Sequence, residues 1–183
     1  MITRDSETTI NKRAILIALL LFFFYIPGFL YAQHANNFYP TEERLFHIER
    51  SKNKNLVCYD VNLVDGKLDA KNPLNIYWVN REETPGETKP LNAMQKRLAY
   101  GYKVISRNED SLEITLSAYS GKVLTIHKLG GKYVCTLVIN NQQAILSSLY
   151  VKAKESNSLS VEYVELRGLN LDTKESISER VEK

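Results

Sequence analysis

From Tyr102 onward the chain is a run of strand-like segments joined by connections of two or three residues. That spacing limits the fold more than any other feature. The segments YKVIS, SLEITLSA, KVLTIHKL, KYVCTLVIN and QQAILSSLYVKA are separated by Asn108-Glu109-Asp110, Ser120-Gly121, Gly130-Gly131 and Asn140-Asn141. Connections this short join antiparallel neighbours, because parallel strands need long crossovers. Ser111 to Ala118 alternates, with Leu112, Ile114, Leu116 and Ala118 expected inward. Tyr133 to Ile139 is apolar on both faces, as a central covered strand would be. Earlier segments fit the same pattern: Leu45–Arg50, Leu56–Leu63 before the turn signal Asp65-Gly66, and Asn75–Asn80. A last strand is expected over Ser160–Leu169, after a polar loop at Glu155–Ser158. The expected fold is mainly β: an antiparallel β-sandwich or small barrel of eight or nine strands with one short helix at about residues 92–100.

The helix interrupts the β pattern within NPLNIYWVNREETPGETKPLNAMQKRLAYGY, residues 72–102. Asn92 is a good N-cap and Gln95 stands three residues on, a variant of the capping box. Leu91, Met94 and Leu98 share one side at helical spacing, and Gly101 is expected to end the helix in a left-handed conformation. Interruptions of a regular fold are where sites tend to be placed.

The N-terminus reads as a targeting segment. Lys12 and Arg13 precede the apolar run AILIALLLFFFYIPGFLYA, broken late by Pro27-Gly28 and ending on Ala32. These features describe a secretory signal peptide over residues 1–32; an uncleaved membrane anchor is the alternative reading of the same run. Either way the remainder is expected to be exported, periplasmic or extracellular, with membrane contact only through that segment. Residues 33–44 read as an irregular lead-in, 45–171 as a single β-rich domain and 172–183 as a frayed, charged tail. Removing residues 1–32 takes three basic and two acidic side chains from totals of 24 and 21, which leaves a net charge of +2. That balance, with no basic stripe, argues against nucleic acid as a partner.

No hydrolase elbow, zinc-protease motif or phosphate loop is present, and nothing calls for a cofactor. His34, His47 and His127 are too dispersed to suggest a metal site. His47, beside Glu49 and across from Asp60 if the first strands pair, is the weak candidate for an acid–base pair in a hydrolase or transferase. Cys58 and Cys135 lie in strand-like runs, either as a disulfide or as two buried thiols. The central stretch offers Tyr77, Trp78, Lys96 and Tyr100, flat amphipathic side chains with a nearby cation. With His47 and Arg50 these are the candidate ligand contacts. The favoured expectation is a non-enzymatic binding module for a small amphipathic ligand or an envelope partner. A structural or assembly protein is a further alternative.

Four motifs occur in order: F-H-I-x-R at Phe46–Arg50, Y-D at Tyr59-Asp60, P-x-x-x-Y-W at Pro73–Trp78 and Q-x-x-x-A-Y-G at Gln95–Gly101. In these the chain resembles the domain-of-unknown-function family numbered 4833, short exported bacterial proteins with a single domain. The resemblance covers roughly Leu45 to Ile105 well and the remainder loosely, and implies no activity. It draws attention to His47, Arg50, Asn55, Tyr59, Asp60, Asp65, Tyr77, Trp78, Gln95, Ala99, Tyr100 and Gly101.

Overall fold

The computed structural model describes residues 42–183, the side chains of residues 158 and 159 excepted. The signal segment and most of the expected lead-in lie outside the described residues. Thirteen strands are found among the described residues. The first six are β1 (Arg44–Arg50), β2 (Asn53–Val61), β3 (Leu63–Val64), β4 (Lys67–Leu68), β5 (Leu74–Val79) and β6 (Thr88–Pro90). A short helix, α1 (Ala93–Gln95), runs into a wider turn at Lys96–Tyr100. Then come β7 (Tyr102–Arg107), β8 (Ser111–Leu116), β9 (Tyr119–Leu129), β10 (Lys132–Ile139), β11 (Gln142–Lys154), β12 (Asn157–Asn170) and β13 (Ser176–Glu182).

The long strand β11 organises the sheet. One of its edges is shared by two strands. β10 pairs antiparallel with Gln142–Ile145, and β1 pairs parallel with Ser148–Val151. β12 runs antiparallel along the other edge and carries β13 outside it. From β1 the sheet continues through β2 and β5 to β6; from β10 it continues through β9 and β8 to β7. β3 and β4 form a separate hairpin. The main sheet curls into a half-barrel. Its concave face carries the core, with Phe46, Val57, Tyr59, Leu112, Ile114, Leu124, Ile126, Leu146, Leu149 and Leu166 almost wholly buried.

Turn chemistry explains why the hairpins form where they do. Asp65-Gly66, Gly130-Gly131 and Asn140-Asn141 all take positive φ at both positions, the twist that matches flanking strands. Ser120-Gly121 does not turn. The reversal falls three residues earlier, at Ser117-Ala118, because Leu116 pairs with Tyr119 and Tyr119 buries its ring. Burial of an aromatic ring outweighs local turn propensity here. Ala118, expected inward, is consequently exposed.

Several expectations are corrected. The strands number thirteen rather than eight or nine, and the β1–β11 pair is parallel within an otherwise antiparallel set. Nothing short connects those two strands, so turn length places no constraint on their direction. Arg44, assigned to the lead-in, opens β1 and pairs with Asp60. Residues 172–183 are no frayed tail: β13 pairs with β12 from Ser176 to Glu182, and Ile177 and Val181 pack on the core. Two apolar residues four apart suffice, since only one face of an outer strand is covered. Cys58 and Cys135 are free and buried. They stand on β2 and β10, strands that do not pair with each other. Only Cys135 belongs to the core cluster. Burial pushes the Cys58 thiol up to about 11 and Cys135 higher still, away from the reactive thiolate form.

The helix keeps its expected start and changes its end. Asn92 Oδ1 accepts from the Gln95 amide at 2.8 Å, and Gln95 Oε1 accepts from the Asn92 amide at 3.0 Å, the full capping box. The expected apolar side does not bury: Leu91 does, but Met94 and Leu98 are 69% and 60% exposed. The Gly101 amide donates to the Lys96 carbonyl at 2.7 Å, closing a five-residue turn that rotates Tyr100 inward instead. Gly101 itself is extended, at φ −73°, so handedness is not why glycine stands there. A Cβ at that position would lie 2.2 Å from the Lys96 carbonyl oxygen. Gly101→Ala is therefore expected to open the wide turn and destabilise the protein by about 1–3 kcal/mol. Chemical denaturation checks this; a midpoint equal to the parent's would contradict it.

Candidate functional site

Tyr100 is the residue on which the site converges. Its carbonyl ends the wide turn and would lack an intrahelical partner. Tyr59, wholly buried in β2, donates its hydroxyl to that carbonyl at 2.7 Å. The Tyr59 ring is stacked on Phe46 at 4.4 Å between centroids. Burial raises the Tyr59 phenol far above its ordinary range, so the donated proton stays in place. The Tyr100 ring meets Trp78 of β5 edge-on, centroids 5.2 Å apart, and its hydroxyl accepts from Arg50 Nη1 at 3.4 Å.

Two hollows flank the Arg50–Tyr100 contact and share Arg50, Leu98, Ala99 and Tyr100. The first, about 410 Å³, lies at the end of the concave face. Ile48, Leu116, Leu149, Val151, Val161 and Val164 form its apolar wall; Arg50, Tyr100, Tyr119, Ser160 and Lys183 supply its polar groups. Lys183 Nζ sits 4.7 Å from the centroid of the Tyr119 ring. The second hollow, about 380 Å³, adds Lys52, Trp78, Met94 and Gln95. No Asp or Glu is among the described residues lining either one.

Of the candidate contacts, Arg50, Trp78 and Tyr100 come together. Lys96 does not join them: it lines a hollow on the other side of the wide turn with Asn75, Tyr102 and Ser117. Tyr77 follows the opposite face of β5 from Trp78, as adjacent strand residues must. Its hydroxyl donates to Asp60 and accepts from Arg44 at 2.9 Å, and Arg44 also binds Asp60. His47 lies on the face away from the core, with Nε2 3.2 Å from Glu49 Oε1. The hydrogen bonds described for His47 and Asp60 run to different partners. Among the described residues, no group of three or more His, Cys, Asp and Glu side chains could hold a metal ion. The pocket wall from β11 and β12, with Tyr119 and Lys183, went unnoticed in the sequence. Inward alternation on β11 marks Leu149 and Val151, but strand pairing is needed to place them opposite Ile48.

Two predictions follow from these bonds. Tyr59→Phe leaves a buried carbonyl without its donor and should cost about 1–3 kcal/mol. Quenching of Trp78 fluorescence by acrylamide should rise alongside, since Trp78 leans on Tyr100. A variant unchanged in both would show that the bond anchors nothing. The hydrogen bond from His47, with the Arg167 charge beyond it, holds the Glu49 carboxyl below its usual range despite partial burial. A depressed carboxylate adds stability above its unfolded value, ~4.3, and loses it as pH falls through the lower folded value. Glu49→Gln should therefore lose less stability than the parent between about pH 5 and pH 2. Parallel denaturation curves across that window would refute the assignment.

Comparison with curated proteins and with solved structures finds no match. The family model described as "Domain of unknown function (DUF4833)" matches residues 46–180, from the third residue of β1 into β13. That span takes in the wide turn and every residue lining the pocket except Lys183, and the chain belongs to the DUF4833 family.

Proposed function

We propose that this chain is an exported, non-enzymatic binding module whose pocket at the end of the concave face takes a small amphipathic ligand. One observation carries the reading: a hollow of about 410 Å³ with a continuous apolar wall and its polar groups gathered from Arg50, Tyr100, Ser160 and Lys183. The volume falls within the range of roughly 300–1,000 Å³ usual for small-molecule sites. An apolar wall favours burial of a hydrocarbon portion, and the few polar groups fix its orientation. Trp78 and Tyr100 add aromatic edges next to it, and Leu98, exposed at the mouth, gives a ligand apolar surface to cover. Export rests on the basic-then-apolar N-terminal run ending at Ala32.

Ala118 provides a clean test because it lines the pocket yet is exposed. Ala118→Trp should fill the mouth without disturbing the core. Binding of the uncharged fluorescent probe N-phenyl-1-naphthylamine should fall by about tenfold or more, with the thermal midpoint within a few degrees of the parent. Undiminished probe binding in a folded variant would remove the pocket from consideration.

A further inference from the structure

The wide turn carries apolar side chains outward. Met94 and Leu98 stand four apart, the spacing that ordinarily makes the buried stripe of a helix. Here the turn buries Tyr100 instead, and these two become the most exposed large hydrophobic side chains among the described residues. Both line one hollow with Trp78, so the three are neighbours. The charge around them has one sign. From Thr88 to Arg107 the chain has five basic residues and no acidic one. Lys96 and Arg97 lie between Met94 and Leu98 and are exposed; their side chains make no hydrogen bond or ion pair among the described residues. Among those residues, no Asp or Glu lines the hollows on either side of the turn.

A protein partner needs a broad complementary face, about 20–30 residues a side, and an exposed turn of this length offers few. A bilayer needs less. A few apolar side chains reach the acyl boundary while long, flexible cations stay among anionic headgroups. We infer that the Met94–Leu98 turn docks shallowly on an anionic lipid surface: Met94 and Leu98 enter the acyl boundary, Lys96 and Arg97 meet the headgroups, and Trp78 lies at the interface. The nearly balanced charge of the whole chain conceals this face, because the basic residues are concentrated there. Docking adds a second membrane contact to the one expected of the N-terminal run. It does not depend on the pocket reading, although Leu98 also lines that pocket.

Trp78 is the only tryptophan, so its quenching by brominated lipid reports this turn whatever the N-terminal run does. The full chain is mixed with vesicles of brominated phosphatidylcholine, with or without about one-third phosphatidylglycerol. The ratio of docked to undocked turn, read from Trp78 quenching, should be about tenfold larger on the anionic vesicles. Lys96→Gln with Arg97→Gln should lose that preference. Met94→Ser with Leu98→Ser should lower the ratio on anionic vesicles by about tenfold. Lys132→Gln with Val138→Ser, exposed positions on β10, should behave as the parent. Equal quenching on the two compositions overturns the docking. So does a preference that survives loss of both cations, quenching unmoved by loss of Met94 and Leu98, or unquenched Trp78 in vesicle-bound protein. Tighter binding of soluble poly-glutamate than of the anionic vesicles overturns it too, and would assign the face to an acidic protein. Should a variant not fold, the parent's ratio on the two compositions decides.

Discussion

The shared edge of β11 is the constraint from which the rest of the molecule follows. A strand edge offers one row of donors and acceptors, and here two strands divide it: β10 takes Gln142–Ile145 and β1 takes Ser148–Val151. Two sheets growing from one edge in opposite senses of chain direction cannot lie in one plane, given the twist each strand imposes. The sheet therefore curls, and its two halves face a common interior. Ile48 from one half and Leu116 from the other then belong to a single wall.

The link between β6 and β7 bridges the far ends of those halves, and its fit depends on hydrogen bonding more than on helix propensity. A helix of so few residues has little stability of its own. It is held at its start by the Asn92–Gln95 box and at its end by Tyr59, whose hydroxyl reaches the Tyr100 carbonyl. The wide turn rotates Tyr100 onto Trp78 and Arg50. Wider turns of this kind are rare and often stand beside functional sites. This one leaves Met94 and Leu98 in solvent while burying a tyrosine.

Much of this was legible in the residues. Period-two alternation marked β8, a run apolar on both faces marked β10, the Asn-Asn and Gly-Gly turns fixed two hairpins, and the cap at Asn92 located the helix start. What local pattern could not supply was anything depending on distant partners. The parallel β1–β11 pairing, the packing of Ile177 and Val181 beneath an otherwise charged strand, and the wide turn each arise from residues far apart in sequence. The site shows the same division. Trp78, Tyr100 and Arg50 were singled out by chemistry and do converge. Tyr77 beside Trp78 could have been set apart by alternation alone, because neighbours on a strand look to opposite faces. Lys96 falls elsewhere because the turn from Lys96 to Gly101 takes five residues where a regular helix takes four.

The parallel pairing of β1 also bears on the order in which the chain can assemble. Ser51, just past the end of β1, accepts a hydrogen bond from the Ala153 amide across 102 residues. β1 and β2 precede the other strands in the chain, yet the edge that β1 needs lies on β11, about a hundred residues later. Contacts so distant carry a large loop-closure cost before any return, and they slow folding. Until β11 and β12 exist, the first lobe has an open edge, the kind of surface that recruits foreign strands. The long wait between the first strand and its partner is thus a period of exposure, and whatever attends the nascent chain must cover β1 through it.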